Sequence, residues 1–242
     1  MIIYGINPVL EALRAGRVRS LRYGGRHDAR LLELVRLAER EHVAVRRVSA
    51  SALERASSGR PHQGVVAELE EQATLGVADL LATGHPPLVV VLDGIEDPHN
   101  FGAILRSVDA AGADGVVRQT RRAAPLDGAT AKASAGAVSH VKIADVVNIA
   151  RALEELKRAG VWTVGLAADA QTSYEGADFT LPTALVVGAE GTGLRRLVRQ
   201  HCDWLVSIPL KGRVQSLNAS VAAGIVLFEA VRQRGLVSKG HE

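Results

Sequence analysis

The chain has few aromatic residues, one cysteine and no long apolar run, and each shortage removes a class of protein. Aromatic residues make up 3% of the 242 residues, so a base-stacking platform like that of an RNA-recognition motif or an OB-fold is not expected. Cys202 has no internal disulfide partner, and neither a CxxC pair nor a His/Cys cluster at zinc spacing is present, which predicts no metal cofactor. No stretch approaches the roughly 18 apolar residues of a membrane span. No basic-then-apolar leader precedes a small-residue cleavage site, so we expect a cytoplasmic protein that is neither exported nor anchored.

The net charge of +3 is unevenly distributed along the chain. Residues 1–64 contain twelve arginines, no lysine and six acidic residues, so this segment carries +6 and the remainder −3. A basic lobe beside a mildly acidic one is typical of a polyanion-binding module joined to a second domain, although a solvated arginine-rich surface explains the charge equally well. Arginine suits RNA in particular, because its planar guanidinium forks onto phosphates and stacks on bases.

The first seventy residues alternate between strand-like and helix-like segments and predict a compact α/β module. A short strand is followed by a helix for which Asn7 is the predicted cap, Pro8 the first helical residue and Gly16 the stop. The rest of the module reads VRSLRYG (strand), DARLLELVRLAEREH (helix), VAVRRVS (strand), SASALERASSG (helix) and GVVAELE (strand). We place this domain at residues 1–71 and a linker with one weak helix at 72–86.

A second α/β domain is predicted over residues 87–242. It begins with LVVVLDG, which is nearly all apolar, as a buried parallel strand should be. Further strands are predicted at GVV, VKI, VWTVGLA, ALVVG and WLVSI, with helical segments between them and a closing helix over LNASVAAGIVLFEAVRQR. Strands separated by helices predict a parallel sheet with helices on both faces.

Three polar segments follow apolar strands in this second domain. The first is DPHNFGAILRSVDAAG, residues 97–112, in which Asn100 and Arg106 are six positions apart and therefore on different faces of the predicted helix. Gly102 inside this helix costs roughly 1 kcal/mol relative to alanine, which indicates that another segment packs close to the backbone there. The alternative interpretation is that Asn100 hydrogen-bonds to polar groups of a loop and Arg106 pairs with a surface carboxylate.

The second and third segments are glycine-bearing turns near the C-terminus. In GAEGTGL, residues 188–194, Gly188 ends a strand, and Glu190 with Gly191 forms the predicted turn. The carboxylate of Glu190 argues against a phosphate cradle. In IPLKGRVQSLNASVAAG, residues 208–224, Ser216 and Asn218 precede an apolar helix that either could cap. A dinucleotide fold has its glycine-rich turn at the start of the domain, so this late position argues against a nicotinamide enzyme.

These three segments, in this order and spacing, resemble the signature motifs of the SpoU/TrmH branch of the SPOUT RNA methyltransferases. YGINPVLEAL and HQGVVAEL are similar to the N-terminal substrate-binding domain of the RlmB subgroup, which resembles ribosomal protein L30e. The resemblance covers nearly the whole chain. It implies an L30e-like α/β domain followed by a parallel-sheet SPOUT domain that threads a deep trefoil knot, and a homodimer without metal or membrane attachment.

The resemblance also implies an activity and a set of site residues. The expected reaction is S-adenosylmethionine-dependent 2′-O-methylation of a guanosine ribose in large-subunit (23S) ribosomal RNA. By position, the resemblance gives catalytic roles to Arg106, Asn100, Glu190, Ser216 and Asn218. It gives cofactor contacts to Gly188, Ile208 and Leu217. Arg106 is expected to orient the hydroxyl and draw in an RNA phosphate, because a guanidinium stays protonated. Glu190 is expected to hold the second motif's turn and to orient Arg106.

Ser139 and Lys142 depart from the family pattern, because RlmB-like chains commonly carry an acidic residue and a proline there. This departure concerns the RNA target more than the chemistry. Two alternatives stay open: 2′-O-methylation of another ribosomal or transfer RNA nucleotide, including the antibiotic-resistance relatives, and an RNA-binding assembly factor without catalysis. A conventional Rossmann methyltransferase ranks behind both, because its early glycine-rich loop is missing.

Overall fold

The computed structural model describes residues 1–25, 28–70 and 75–239. The strands in these residues are β1 (Ile2–Tyr4), β2 (Val18–Tyr23), β3 (Ala44–Arg47), β4 (Val65–Leu69), β5 (Leu88–Asp93), β6 (Gly115–Gln119), β7 (Ile143–Val146), β8 (Trp162–Leu166), β9 (Thr172–Ser173), β10 (Thr183–Gly188) and β11 (Trp204–Ser207). The α-helices are α1 (Ile6–Arg14), α2 (Ala29–Arg40), α3 (Ala50–Ala56), α4 (Val77–Leu81), α5 (Pro98–Ala110), α6 (Gly128–Ala133), α7 (Ile149–Arg158), α8 (Arg196–His201) and α9 (Ala219–Lys239). No helix among the described residues is both long and apolar enough to cross a bilayer.

Internal contacts divide the described residues into two compact units that are not contiguous in sequence. The first comprises residues 1–70, 101–106 and 125–140, and the second comprises 75–100, 107–124 and 141–239. The predicted domain boundary at residues 71 and 72 lies outside the described residues, and the domain limits stay a prediction. Helix α5 contributes residues to both units.

The first unit contains a mixed four-stranded sheet in the order β1-β4-β2-β3. Strand β4 pairs antiparallel with β1 and β2, whereas β2 and β3 are parallel. Helix α6 belongs to this unit: Gly128 lies against the Tyr4 ring, and the Asp127 carboxylate, which caps α6, accepts a hydrogen bond from Arg60 at 3.0 Å. Gly102 of α5 approaches Ala133 so closely that an added Cβ would lie 2.4 Å from the Ala133 side chain, which confirms the close packing predicted at this glycine.

The predicted start of the first helix is wrong by two residues. Helix α1 begins at Ile6 after Gly5, which has φ 95°, so Asn7 and Pro8 lie inside the first turn. A side chain from elsewhere replaces the expected cap: the Gln63 Oε1 accepts a hydrogen bond from the Ile6 amide at 3.0 Å. Proline is tolerated at the third helical position because the first-turn amides have no intrahelical acceptor.

The second unit contains a seven-stranded sheet in the order β7-β6-β5-β10-β8-β11-β9, and every strand pair in it is parallel. Strands β5 and β10 are buried along their whole length, as their apolar sequences predict. Helices α4, α7 and α8 cover one face, where Leu153 and Leu156 are fully buried, and α9 packs against β10. The parallel α/β architecture is confirmed, and the predicted knot stays a prediction.

Two local predictions for this unit change. The weak helix placed in the linker is α4, and its Val77 and Leu80 are at most 2% exposed within the core of the second unit. Each such burial contributes roughly 1.5–3 kcal/mol, so these residues are part of the domain core. Strand β7 begins at Ile143, at the end of the predicted VKI strand, and β9 was not predicted because it is two residues long.

Candidate active site

Strands β5 and β10 are neighbours, and their carboxyl ends coincide because Asp93 pairs in register with Gly188. The chain runs from β5 towards β6 and β7 on one side, and β8 and β11 lie on the other side of β10. In open α/β sheets, such a switch in strand order leaves a crevice beyond the carboxyl ends of the strands, where ligands bind. The first two motifs follow these two strands directly, so the fold brings them to this crevice.

A triangle of side-chain hydrogen bonds joins all three motifs. The Asn100 Nδ2 donates to the Glu190 Oε2 at 3.1 Å, and the Asn218 Nδ2 donates to the Asn100 Oδ1 at 2.8 Å and to the Glu190 Oε2 at 3.2 Å. The Asn218 Oδ1 caps α9 by accepting from the Ser220 amide at 2.9 Å. Because the cap needs the amide oxygen, the nitrogen of Asn218 must face the other two residues.

The second motif forms a tight turn after β10. The Gly193 amide donates to the Ala189 carbonyl at 2.8 Å and closes the predicted turn at Glu190 and Gly191. Gly188 ends the strand beneath it, and a Cβ there would lie 2.2 Å from the Gly193 backbone. Only glycine therefore allows the turn to fold back against its own strand.

Asp93 anchors the far end of this turn and was not predicted as a site residue. Its fully buried carboxylate accepts hydrogen bonds from the Arg195 amide at 2.8 Å and the Arg195 Nε at 2.6 Å. The Arg195 Nη2 also donates to the Gln119 Oε1 at 2.7 Å. A charged residue ending the otherwise apolar LVVVLD strand was the available signal, since a carboxylate is buried only when it is paired.

A pocket opens beside the triangle and is walled largely by apolar residues and backbone. Its lining includes the three predicted cofactor contacts, Gly188, Ile208 and Leu217, together with Glu190 and Ser216. The other lining residues include Leu166, Ala167, Ala168, Val206, Leu210 and Ala222. Glu190 is the one charged residue in the lining, and no Lys or Arg is among the described residues that form it. This lining disfavours a phosphate-bearing ligand and suits a ligand with an apolar body and positive charge.

Arg106 lies outside the triangle. It is exposed on α5, six residues beyond Asn100, and within the described part of the chain its guanidinium makes no hydrogen bond or ion pair. Asn100 is half-buried, so the two residues differ in exposure as well as in helical face. The hydrogen bonds of the Glu190 side chain run to Asn100 and Asn218, and none to Arg106 is present among the described residues.

Two other features bear on the chemistry, and a third lies away from the site. Burial raises the pKa of the Cys202 thiol to about 12, so at neutral pH it is protonated and a poor nucleophile. Within residues 1–25, 28–70 and 75–239, no group of three or more His, Cys, Asp or Glu residues could hold a metal ion. The rings of Trp162 and Trp204 stack with their centroids 4.9 Å apart. They lie at the amino ends of β8 and β11, at the sheet edge opposite the motifs. This pair was not predicted because the two residues are far apart in sequence.

Comparison with known proteins gives the family. Residues 87–228 match the model of the SpoU rRNA methylase family, and residues 2–75 match the model described as RNA 2′-O ribose methyltransferase substrate binding. The chain belongs to the SpoU rRNA methylase family. The predicted family and the predicted two-part α/β fold class are thereby confirmed.

Named relatives of this SpoU family chain are similar over nearly their whole length. The 23S rRNA (guanosine-2′-O-)-methyltransferase RlmB of Yersinia pestis is 44% identical, over 97% of this chain and 98% of the relative. The protein of the same name from Pseudomonas syringae pv. tomato is 43% identical, over 98% and 97%. Among solved structures, the SpoU methyltransferase AviRb from Streptomyces viridochromogenes in complex with the cofactor AdoMet superposes with a TM-score of 0.83 at 31% identity, over 98% of this chain and 91% of that one.

Proposed function

We propose that this protein transfers a methyl group from S-adenosylmethionine to the ribose 2′-oxygen of a guanosine in 23S ribosomal RNA. The observation that carries the proposal is the triangle of Asn100, Glu190 and Asn218, which joins the three motif loops beside a pocket with one carboxylate. Relatives with this printed activity are 41–44% identical over nearly the full chain and support the substrate. A ribosomal RNA substrate also implies that the protein acts in the cytoplasm.

The composition of the pocket fits the cofactor. S-adenosylmethionine, when bound, supplies a methyl group on a positively charged sulfonium. We assign Gly188, Ile208 and Leu217 to holding it, largely through backbone groups and apolar contact. Glu190 attracts the positive charge of the sulfonium. No Lys or Arg is among the described lining residues, so the sulfonium meets no repelling cation of the kind found in a phosphate-binding site.

The triangle residues act by positioning the loops. Both polar atoms of the Asn100 side chain are already engaged, one with Glu190 and the other with Asn218. We therefore assign these three residues to holding the three loops in register around the reacting groups, where a misplacement of about 1 Å costs on the order of 100-fold in rate. Ser216 is exposed and lines the pocket, and we assign it to holding the third loop there.

Arg106 is the residue assigned to the RNA hydroxyl. A guanidinium donates hydrogen bonds and stays protonated, so Arg106 would orient the 2′-hydroxyl and bind a neighbouring phosphate and would not remove the proton itself. Its exposure leaves it accessible to a large substrate.

Replacing Arg106 tests this assignment. Arg106→Ala should leave the unfolding midpoint unchanged and the Kd for S-adenosylmethionine within about twofold, because the side chain is exposed and outside the pocket. Methyl transfer to ribosomal RNA should fall at least about 100-fold. Arg151→Ala, an exposed arginine on α7, is the matched control and should keep wild-type turnover. Near-wild-type turnover in Arg106→Ala would contradict the role.

The expected homodimer has a candidate surface on α9. Val221, Phe228 and Val231 are 50%, 49% and 36% exposed, and their spacing places them on one side of the helix. Apolar side chains of this size on one face are typical of an interface. Sedimentation equilibrium should give a mass of two chains, and a mass of one chain at micromolar concentration would contradict the dimer.

A further inference from the structure

A second cavity lies at the same sheet edge and shares no lining residue with the first pocket. It is bounded by the ends of β6 and β7 and by the start of α8. Gln119, Asn148 and Arg195 supply its polar groups, and Val147 and Leu197 are 79% and 52% exposed beside them. The described residues of this lining include an arginine and no carboxylate, which is the reverse of the first pocket.

The polar groups of this cavity are held in place with donors to spare. Two nitrogens of Arg195 are committed, because Nε bonds the buried Asp93 and Nη2 bonds Asp93 and Gln119. The Nη1 group makes no hydrogen bond within the described part of the chain. Gln119 and Asn148 use their amide oxygens, one toward Arg195 and the other toward the Arg151 amide at 3.3 Å. Neither amide nitrogen is hydrogen-bonded to another described residue, so both can donate and the cavity suits an acceptor-rich ligand.

The loop that leaves Gln119 adds two more arginines. Its ends are fixed, since the Thr120 amide donates to the Val146 carbonyl and the Ala124 amide donates to the Ile95 carbonyl, both at 2.9 Å. Between them, Arg121 and Arg122 are exposed, and neither side chain makes a hydrogen bond or ion pair among the described residues.

Arg122 is also strained. It has φ 56° and is the one described non-glycine residue of the second unit with a positive φ. Strained non-glycine positions cluster at ligand sites.

We propose that this cavity and the Arg121–Arg122 loop bind the phosphodiester backbone and a ribose of the substrate RNA beside the target nucleotide. The inference rests on the proposed function and names the RNA-contact surface of that site. Guanidinium groups bind phosphate through paired hydrogen bonds, and Val147 with Leu197 offers apolar contact to the sugar. The pocket with Glu190 then takes the cationic cofactor, and the guanidinium groups of Arg121 and Arg122 beside the second cavity, unpaired among the described residues, take the anionic strand.

The test is the salt dependence of RNA binding by the full chain. Arg121→Ala/Arg122→Ala keeps a Cβ at both positions, so the strain at residue 122 is unchanged while both guanidinium groups are lost. The Kd for an in vitro transcript of 23S ribosomal RNA is measured between 50 and 200 mM salt. The Kd should rise on the order of tenfold, and the slope of log Kd against log salt should fall by about 1.4–1.8, because each phosphate contact contributes about 0.7–0.9.

Three further variants complete the experiment. Arg158→Ala/Arg199→Ala removes the same charge from an exposed position on α7 and a half-buried position on α8 and should leave Kd within about twofold. Arg121→Lys/Arg122→Lys keeps both charges and should restore the slope. Asn148→Ser keeps a capping oxygen on α7 and should weaken RNA binding several-fold without changing the Kd for S-adenosylmethionine.

If the wild-type chain binds and methylates RNA, and Arg121→Ala/Arg122→Ala has the same Kd and salt slope as the wild type, this inference alone is overturned. A wild-type chain that binds S-adenosylmethionine and neither binds nor methylates RNA would overturn the proposed function, and this inference with it. Equal losses in both double alanine variants would mean that net charge, and not this surface, binds the RNA.

Discussion

Replacing Asp93 with alanine should both destabilise the protein and weaken the cofactor pocket. The Asp93 carboxylate is 0% exposed and holds the Arg195 amide and guanidinium at 2.8 Å and 2.6 Å. Removing one partner of a buried pair costs about 3–5 kcal/mol when the other charge stays buried. The Arg195 side chain is 43% exposed and can turn to water, so the expected loss is about 2–3 kcal/mol, most of it from the unpaired Arg195 amide and the lost charge-assisted bonds.

The same change should release the far end of the turn that carries Glu190. We expect the Kd for S-adenosylmethionine to rise about tenfold or more, because Gly188, Glu190 and Gly193 line the pocket and Asp93 holds the chain at Arg195, two residues beyond the turn. Urea unfolding gives the stability and isothermal titration gives the affinity. Asp109→Ala, at an exposed carboxylate on α5, is the control and should stay within about 0.5 kcal/mol. An Asp93→Ala protein that loses less than about 0.5 kcal/mol and binds the cofactor normally would refute the anchoring role.

Two further substitutions test the triangle and the packing. Asn218→Ser keeps an oxygen to cap α9 and loses the Nδ2 donor to Asn100 and Glu190, so unfolding free energy should change by less than about 1 kcal/mol while methyl transfer falls at least about tenfold; full activity would contradict the positioning role. Ser139→Ala should raise the free energy of unfolding by about 1 kcal/mol in a urea titration, because the Ser139 Oγ is buried without a hydrogen-bond partner among the described residues, and a fall would show that the hydroxyl is satisfied.

Much of the candidate site could be predicted because its motifs are local in sequence. Each motif follows a strand of apolar residues and enters a helix, so a parallel sheet brings the carboxyl ends of β5 and β10 to one edge. Asn218 as a helix cap and the turn at Glu190 follow from local chemistry. The family resemblance placed Asn100 and Asn218 in one catalytic site, but their direct contact depends on which strands become neighbours and was not predicted.

The features that sequence reasoning missed are those set by long-range packing. Asp93 and Arg195 are 102 residues apart, so the last residue of an apolar strand gave little sign of holding the second motif. Gln63 replaces the cap expected from Asn7, and the two are brought together only by the sheet of the first unit. The short helix α4 has linker-like flanks, yet Val77 and Leu80 fill the core because the sheet face above them is apolar.

The central claim is tested most directly by methyl transfer from labelled S-adenosylmethionine to 23S ribosomal RNA taken from a strain that lacks this gene, with the modified nucleotide mapped. The account predicts label on the 2′-oxygen of a single guanosine. Label on another ribosomal or transfer RNA nucleotide would contradict the proposed target and keep the chemistry. No label on naked RNA or on large-subunit particles, in a protein that binds the cofactor, would contradict the enzymatic function and favour a non-catalytic assembly factor.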